Sequence, residues 1–340
     1  MDISELRNRI NEIDDQLTDL FTERMHISSK IGEYKYENGM EINDPKREQE
    51  IVDKLSSKAG KIYSPYIKAL YSDIFDMSRR LQSLLHEINS IEYGLIGKNV
   101  VYSYNKWIHQ ALQNRSYGLY NVSEEMLPLL FSKRAFKGLN ISTPYRKEVI
   151  KYCDVIDPEA QKIGYIDTIV KDSNGMLTGY NTASEAIAAT AKKADINFND
   201  KKVMVLGNGG FAAAAIKAAK DGNPREIIVV QRTGKVNFRN YTQHSDTDIL
   251  INATSIGMTP NTDISPADLS QFPNISGVID AVFTPVESKL IHDARERGIK
   301  CENGLSILIE KCVRSSRLFG FPADDLTTAE LYEELTSFIE

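Results

Sequence analysis

The sequence predicts a helical domain followed by a larger α/β region with parallel sheets. In residues 4–38, which contain no proline, apolar residues recur at helical spacing. After Ser90, short apolar segments alternate with helical stretches, which is typical of α/β folds. At 340 residues, the chain has the length of about two domains.

The first helix is unusually long for a small domain. At 1.5 Å per residue it extends ~50 Å, which is more than a small globular unit can cover by itself. This length predicts that two chains intertwine. The apolar positions that recur at threes and fours are Ile3, Leu6, Ile10, Ile13, Leu17, Leu20, Phe21, Met25, Ile27 and Ile31.

Two more helices complete the predicted helical domain, residues 1–88. Asn43-Asp44-Pro45 supplies a cap and a first-turn proline for the second helix. The third is predicted over Tyr63–Asn89, with Pro65 near its start. The strand candidates all lie further on, at Tyr93–Gly97, Gly138–Ser142, Val203–Leu206, Ile227–Val230, Ile249–Ile251 and Val278–Ala281.

Composition limits the class of protein. The net charge of −6 argues against general binding to nucleic acid or to a membrane surface. The N-terminus is charged at once and lacks the apolar core of a signal peptide, and no apolar run approaches the ~18 residues of a membrane span. Three cysteines without metal-ligand spacing fit a reduced, cytoplasmic protein.

Polar side chains of the helical domain share helix faces. Arg24 and Lys35 are 11 positions apart and lie within about 20° of each other around the helix. Arg7 points elsewhere, at about 260° from Arg24, so we expect it to reach a partner's pocket across a dimer. Two further sets share faces on the later helices: Asp44, Arg47 and Glu48, and Ser78 and Gln82.

Over residues 4–85 this pattern resembles the AroQ-class chorismate mutase family. Its motifs are Leu6-Arg7, Glu23-Arg24, Gly32-Glu33-Tyr34-Lys35, Asp44-Pro45-Lys46-Arg47-Glu48 and Ser78-Arg79-Arg80-Leu81-Gln82. The resemblance implies a homodimeric isomerase that converts chorismate to prephenate without a cofactor. The implied catalytic residues are Arg7 of the partner subunit and, from the same chain, Arg24, Lys35, Asp44, Arg47, Glu48, Ser78 and Gln82.

The implied reaction explains these residue types. A pericyclic rearrangement needs no nucleophile and no proton transfer; it gains from a compact substrate conformer and from stabilised charge on the ether oxygen. By resemblance, Arg24 and the partner's Arg7 clamp the carboxylates, while Lys35 and Gln82 donate to the ether oxygen. Three alternatives stay open: a solvated charged face, a coiled-coil dimeriser, and isochorismate pyruvate lyase, which uses a similar cationic pocket.

From Tyr93 to about Gly320 the chain resembles the shikimate dehydrogenase family. That fold implies a substrate domain at 92–190, a Rossmann-like domain at 191–300 and C-terminal helices at 301–340 that return to the first domain. The motifs are Tyr93–Gly97, Gly138–Ser142, Asp157-Pro158-Glu159-Ala160, Gly179-Tyr180-Asn181-Thr182, Val205–Ala212, Asn252–Met258 and Asn303-Gly304-Leu305.

A glycine-rich turn follows the strand at Val203–Leu206 and predicts a dinucleotide site. Gly207, Gly209 and Gly210 allow a tight turn and close approach of a pyrophosphate. Arg232 and Thr233 follow the next strand, where an acidic residue would favour NAD; the arginine suits a 2′-phosphate, so NADP is expected. Residues 234–247 leave little room for a helix between strands.

The implied substrate pocket departs from the family. Arg146 stands where the family has its catalytic lysine, and Ala183 where it has the partner aspartate. Because arginine stays protonated and alanine carries no proton, the usual proton relay is lost. Ser103 and Ser142 keep hydroxyls, whereas four other positions are changed to Asn105 (from serine), Asp167 (from asparagine), Phe283 (from tyrosine) and Lys311 (from glutamine).

Two hypotheses about the second domain remain. In the favoured one it is inactive as a dehydrogenase and is a regulatory or scaffolding module, whose cationic pocket binds an anionic pathway metabolite. In the other it is an NADP-dependent dehydrogenase for shikimate or a related substrate, with Lys147 or Lys311 recruited for proton transfer.

Overall fold

A computed structural model describes residues 2–321 and 325–339. The chain divides into two compact units, Met1–Ile91 and Glu92–Glu340. Within the described residues, no helix is both long enough and apolar enough to cross a lipid bilayer.

The helical unit consists of α1 (Ile3–Glu37) and α2 (Pro45–Ser90). Asp44 caps α2 by accepting a 3.1 Å hydrogen bond from the Arg47 backbone N–H. The predicted second and third helices form one element, interrupted by Gly60, whose φ of 75° and ψ of 170° lie outside the helical region. The break therefore falls at this glycine and not at Pro65.

The two helices pack closely over the C-terminal half of α1. The residues buried in α1 are Ser28 and Gly32. A Cβ added to Gly32 would lie 2.9 Å from Gln82 Cγ, so only glycine lets the helices approach this closely. The N-terminal half is uncovered in the single chain: its apolar side chains are 42–63% exposed at Ile3, Leu6, Ile10, Ile13, Leu17 and Leu20.

The first sheet of the α/β unit has six strands in the order β2-β1-β3-β5-β6-β4. It is mixed, because β5 runs antiparallel to β3 and β6, so the prediction of parallel sheets is wrong here. The strands are β1 (Tyr93–Gly97), β2 (Tyr117–Asn121), β3 (Gly138–Ile141), β4 (Val155–Ile156), β5 (Thr168–Lys171) and β6 (Leu177–Tyr180). Its helices are α3 (Asn105–Ala111), α4 (Leu127–Lys133) and α5 (Pro158–Ile163).

The second sheet is parallel, with the order β11-β10-β9-β7-β8. Its strands are β7 (Lys202–Leu206), β8 (Glu226–Val230), β9 (Ile249–Asn252), β10 (Gly277–Asp280) and β11 (Lys300–Glu302). The helices around it are α6 (Ala183–Lys193), α7 (Gly210–Asp221) and α8 (Lys289–Glu296). Between β8 and β9 the chain forms a 3₁₀ turn at Tyr241–His244. A helical domain followed by a Rossmann-like α/β region was predicted, and this fold class is confirmed.

The C-terminal helices α9 (Gly304–Leu318) and α10 (Asp325–Ile339) complete the α/β unit. Helix α9 reaches the first sheet, where the Ser315 hydroxyl donates to Asn140 Oδ1 at 3.4 Å. It also reaches the start of α3, where Cys312 Sγ donates to Asn105 Oδ1 at 3.3 Å. At its start, a Cβ added to Gly304 would lie 2.2 Å from the carbonyl oxygen of Ala281. The backbone that follows β10 thus fixes where α9 begins.

We expect Gly304→Ala to destabilise the α/β unit by at least about 2 kcal/mol, because the new methyl group overlaps backbone atoms that cannot move alone. Urea unfolding measures this through Trp107, the single tryptophan, which packs against the buried cluster that contains Leu305. Gly209→Ala is the control, because its φ is −81° and no described heavy atom lies within 4 Å of an added Cβ. Equal midpoints for both variants would contradict the argument.

Candidate active sites

A cavity of about 550 Å³ lies between α1 and α2 of the helical unit. Seven of the eight residues predicted for the mutase site line it. These are Arg24, Lys35, Asp44, Arg47, Glu48, Ser78 and Gln82. Apolar side chains complete the wall, among them Leu20, Ile27, Ile31, Ile51 and Phe75.

Arg24 is held in the cavity by neutral groups. Its Nη1 donates to Ser78 Oγ at 2.8 Å, and its guanidinium lies over the Phe75 ring at 5.6 Å from the centroid. The Ser78 hydroxyl in turn donates to the Ile74 carbonyl at 2.8 Å. Ser78 therefore positions Arg24, while the positive charge remains available to a ligand anion.

Lys35 and Gln82 also have neutral partners. Lys35 Nζ donates to the Ile42 carbonyl at 2.7 Å, and Gln82 Nε2 donates to Ser28 Oγ at 3.0 Å. The buried Gln82 Oε1 has no hydrogen-bond partner among the described residues. Because the Ser28 hydroxyl can donate as well as accept, a turned amide keeps this bond and presents Nε2 to the cavity as a donor.

Arg79 is a site residue that the sequence analysis missed. Its guanidinium forms ion pairs with Glu48 and Asp76, and the hydrogen bond that it donates to Glu48 raises the pKa of Arg79. The available signal was its position between Ser78 and Gln82, three residues after Asp76. Arg47 lies at the rim of the cavity, exposed and 3.5 Å from Glu50.

Arg7 does not line the cavity of its own chain. It is exposed on the uncovered half of α1, 17 residues before Arg24, which corresponds to about 25 Å along the helix. Its entry into the pocket of a partner subunit therefore stays a prediction.

A second cavity, of about 720 Å³, lies in the α/β unit. Seven of the eight predicted pocket residues line it: Ser103, Asn105, Ser142, Arg146, Asp167, Phe283 and Lys311. Ala183 does not line it; it is buried in the first turn of α6. Lys147 is exposed and also lies outside the lining, so Lys311 is the lysine that the fold brings to this cavity.

Asp167 and Lys311 form an ion pair in the wall of this cavity. Lys311 Nζ lies 3.3 Å from Asp167 Oδ2, and the side-chain exposures are 17% and 2%. Asp167 Oδ1 accepts from the Thr182 backbone N–H at 2.8 Å, from Thr182 Oγ1 at 3.0 Å and from Thr168 Oγ1 at 3.1 Å. The carboxylate is therefore fixed on one side and faces the lysine on the other.

Burial and neighbouring charges act on this pair in opposite directions. Burial raises the pKa of Asp167, but the cations of Lys311 and Arg146, together with the Thr182 hydrogen bonds, outweigh it and leave that pKa lowered. Burial lowers the pKa of Lys311; Asp167 opposes this shift and Arg146 adds to it. Arg146 Nε donates to the Ile141 carbonyl at 3.1 Å. The pocket thus holds two cationic groups against one carboxylate.

The turn between β7 and α7 forms an open cradle. Gly207 has a φ of 115°, and a Cβ there would approach the Ala253 carbonyl oxygen to 3.1 Å. Gly209 caps α7, and a Cβ on Gly210 would lie 2.9 Å from the Tyr165 ring. Arg232 and Thr233 are exposed just beyond β8. A helix N-terminus without acidic residues in its first turn suits a pyrophosphate, so these residues fit NADP.

Two family models match the chain. Residues 6–83 match chorismate mutase type II, and residues 95–169 match the shikimate dehydrogenase substrate binding domain. The two matched regions lie in the helical unit and in the α/β unit, respectively.

Relatives and solved structures agree with these matches. A shikimate dehydrogenase (NADP(+)) of Clostridium beijerinckii is 31% identical over 246 residues, which cover 67% of this chain and 91% of that protein. Shikimate dehydrogenase 1 of Peptoclostridium difficile superposes with a TM-score of 0.66 at 28% identity, covering 73% of this chain and 99% of that one.

The structure of a chorismate mutase/shikimate 5-dehydrogenase fusion protein from Clostridium acetobutylicum gives a TM-score of 0.69 at 29% identity. It covers 73% of this chain and 98% of that one. The chain thus belongs to the shikimate dehydrogenase family through its α/β unit, and residues 6–83 of its helical unit match the chorismate mutase type II family.

Proposed function

We propose that the helical unit converts chorismate to prephenate. The observation that carries the proposal is the convergence of Arg24, Lys35 and Gln82 on one cavity, with cations whose described partners are neutral oxygens. A dianionic substrate supplies the missing negative charge, and fixed donors hold it in the reactive conformer. Arg24 binds a carboxylate, and Lys35 and Gln82 stabilise charge on the ether oxygen.

The site is completed by a second copy of the chain in this proposal. The apolar half of α1 around Ile10 and Leu17 is uncovered in one chain, which supports burial in a homodimer. Arg7 lies on that half of the helix and is brought to the partner's cavity as the second carboxylate clamp. Glu48 and Gln82 favour the mutase over the lyase on isochorismate, and formation of prephenate instead of salicylate distinguishes the two.

For the α/β unit we propose an NADP-dependent dehydrogenase for shikimate or a related alcohol. The sequence alone favoured an inactive module, but the similarity to enzymes named as NADP shikimate dehydrogenases does not support inactivity. The glycine turn and Arg232 would hold NADP, which supplies a hydride acceptor when bound. The observation that favours this function is the ion pair between Lys311 and Asp167 in the cavity of about 720 Å³.

If Arg7 of one subunit completes the cavity of its partner, two inactive variants should complement each other. Arg7→Ala and Arg24→Ala should each lower kcat/KM for chorismate by ~10²-fold or more, since each loses a carboxylate contact. In a heterodimer of the two, one cavity keeps its own Arg24 and receives the intact Arg7. Co-expression of both variants should therefore restore about a quarter of wild-type activity, because half the dimers carry one intact site of two.

Lys30→Ala, an exposed cation of the same helix outside the cavity lining, is the control and should keep wild-type activity. Inactive single variants that fail to complement after co-expression would show that Arg7 acts elsewhere.

Gln82→Ala should lower kcat for prephenate formation by ~10²-fold, because a donor to the developing charge is lost. Gly32→Ala should act in the same direction more weakly, since its methyl group would displace the Gln82 side chain. Initial rates of chorismate loss, with circular dichroism as a check on helix content, measure both. Full activity in Gln82→Ala would remove this residue from the mechanism.

Arg232→Ala should weaken NADP⁺ binding by ~10-fold or more and leave NAD⁺ binding unchanged, because only NADP⁺ carries the 2′-phosphate. Isothermal titration of both dinucleotides with the wild type and the variant measures this. The exposed Lys220→Ala is the matched control. An equal loss for both dinucleotides would contradict a 2′-phosphate contact.

A further inference from the structure

The pocket of the α/β unit has exchanged the positions of its charged residues. Relative to the pattern that its sequence resembles, a lysine is lost at Arg146 and an aspartate at Ala183. A lysine is gained at Lys311 and an aspartate at Asp167. Both gained residues line the same cavity and lie 3.3 Å apart there. The set still contains one amine and one carboxylate, and they are paired.

The gained carboxylate lies beside the position of the lost one. Asp167 Oδ1 accepts hydrogen bonds from the backbone and the hydroxyl of Thr182, the residue immediately before Ala183. Its Oδ2 is buried, accepts no hydrogen bond from the described residues, and faces the Lys311 ammonium. The carboxylate of Asp167, the residue just before β5, therefore reaches the start of α6, where an aspartate at 183 would have stood.

A purely structural ion pair is a poor explanation for this arrangement. Such a pair gains most from complete enclosure and full hydrogen bonding, whereas Lys311 remains 17% exposed and lines an open cavity. Arg146 adds a second cation, so protonated Lys311 leaves a net positive charge in the pocket. This excess favours release of the lysine proton, which is the property a general base needs.

We propose that Lys311 is the acid–base residue of the α/β unit and that Asp167 is its positioning carboxylate, in place of the lost pair. The inference rests on the proposed dehydrogenase function. In alcohol oxidation the hydroxyl proton passes to neutral Lys311 Nζ, while the carbon-bound hydrogen leaves with its electron pair to an oxidised nicotinamide. The C–O bond becomes C=O, and the lysine returns its proton to solvent.

The charges around Lys311 fix the expected pH behaviour. Asp167 raises the pKa of the lysine, Arg146 lowers it, and the neighbouring Cys312, whose own pKa burial raises to about 12, stays a neutral thiol near pH 7. Removing the carboxylate by Asp167→Asn leaves the opposing effects of burial and Arg146, so the lysine deprotonates at lower pH. Because oxidation needs the neutral amine, the rising limb of the pH–rate profile moves to lower pH.

The first experiment measures the titration of Lys311 in the absence of cofactor and substrate. Trace acetylation of the full-length chain with acetic anhydride between pH 6 and 11, followed by mass spectrometry, gives a titration midpoint for each lysine. We expect a midpoint for Lys311 below the ordinary lysine value of about 10.4, and a still lower one for Lys311 in Asp167→Asn. A midpoint for Lys311 at or above that ordinary value, or no acetylation of Lys311 at any pH, would overturn the proposal.

The second experiment follows NADP⁺ reduction with shikimate and with quinate. We expect Lys311→Gln to lower kcat by ~10²-fold or more with little change in KM, and Lys147→Gln to match the wild type. Asp167→Asn should lower kcat less and shift the profile as described. The urea unfolding midpoint of the α/β unit, followed through Trp107 on each preparation, checks that this unit is folded.

NADP⁺ titration without substrate distinguishes a failure of the dehydrogenase function from a failure of the acid–base role of Lys311. Failure of the wild type to bind NADP⁺, or binding without turnover of either substrate, would refute the dehydrogenase proposal itself. Turnover that survives Lys311→Gln would refute the acid–base role of Lys311 alone.

Discussion

Positive charge that is partly withdrawn from water is stabilised by a compensating anion, and this requirement shapes both cavities of the chain. In the helical unit, Arg24 and Lys35 are fixed by the oxygens of Ser78 and Ile42, which carry no charge. In the α/β unit, one carboxylate at Asp167 faces two cationic groups. Each cavity is therefore cationic, although the chain as a whole carries a net charge of −6. In the proposed functions, anionic ligands supply the negative charge that the two cavities lack.

Most residues of the helical site could be predicted from the sequence because helical spacing is regular. Once residues 24 and 35, or 78 and 82, fall on one helix, their shared face follows from 100° per residue. Arg79 was missed because its partner Glu48 is 31 residues away, and spacing on one helix does not identify a pair on another part of the chain. The boundary between the second and third helices was predicted a few residues too late, near Pro65, whereas the break in α2 lies at Gly60. A proline predicts a helix interruption more strongly than a single glycine does.

The α/β unit was predictable as a class but not in its pairings. Six strand segments were recognised from apolar runs, whereas the antiparallel direction of β5 depends on tertiary contacts. Asp167 and Lys311 were each identified as substitutions, yet they are 144 positions apart and only the fold brings them together. Without that contact, the loss of the usual residues at 146 and 183 indicated a dead site. With that contact, the same substitutions support the proposal of a rearranged site.

Because half of α1 leaves apolar side chains uncovered, the proposed mutase activity depends on the concentration of the protein. The α/β unit buries extensive apolar clusters of its own, whereas Ile3, Ile10 and Leu17 are left facing solvent in one chain. In the proposed dimer, the stability of the helical unit and the integrity of its site vary with protomer concentration. Under these proposals, dilution silences the rearrangement while the α/β unit stays folded, so the ratio of the two proposed activities reports the concentration of the protein.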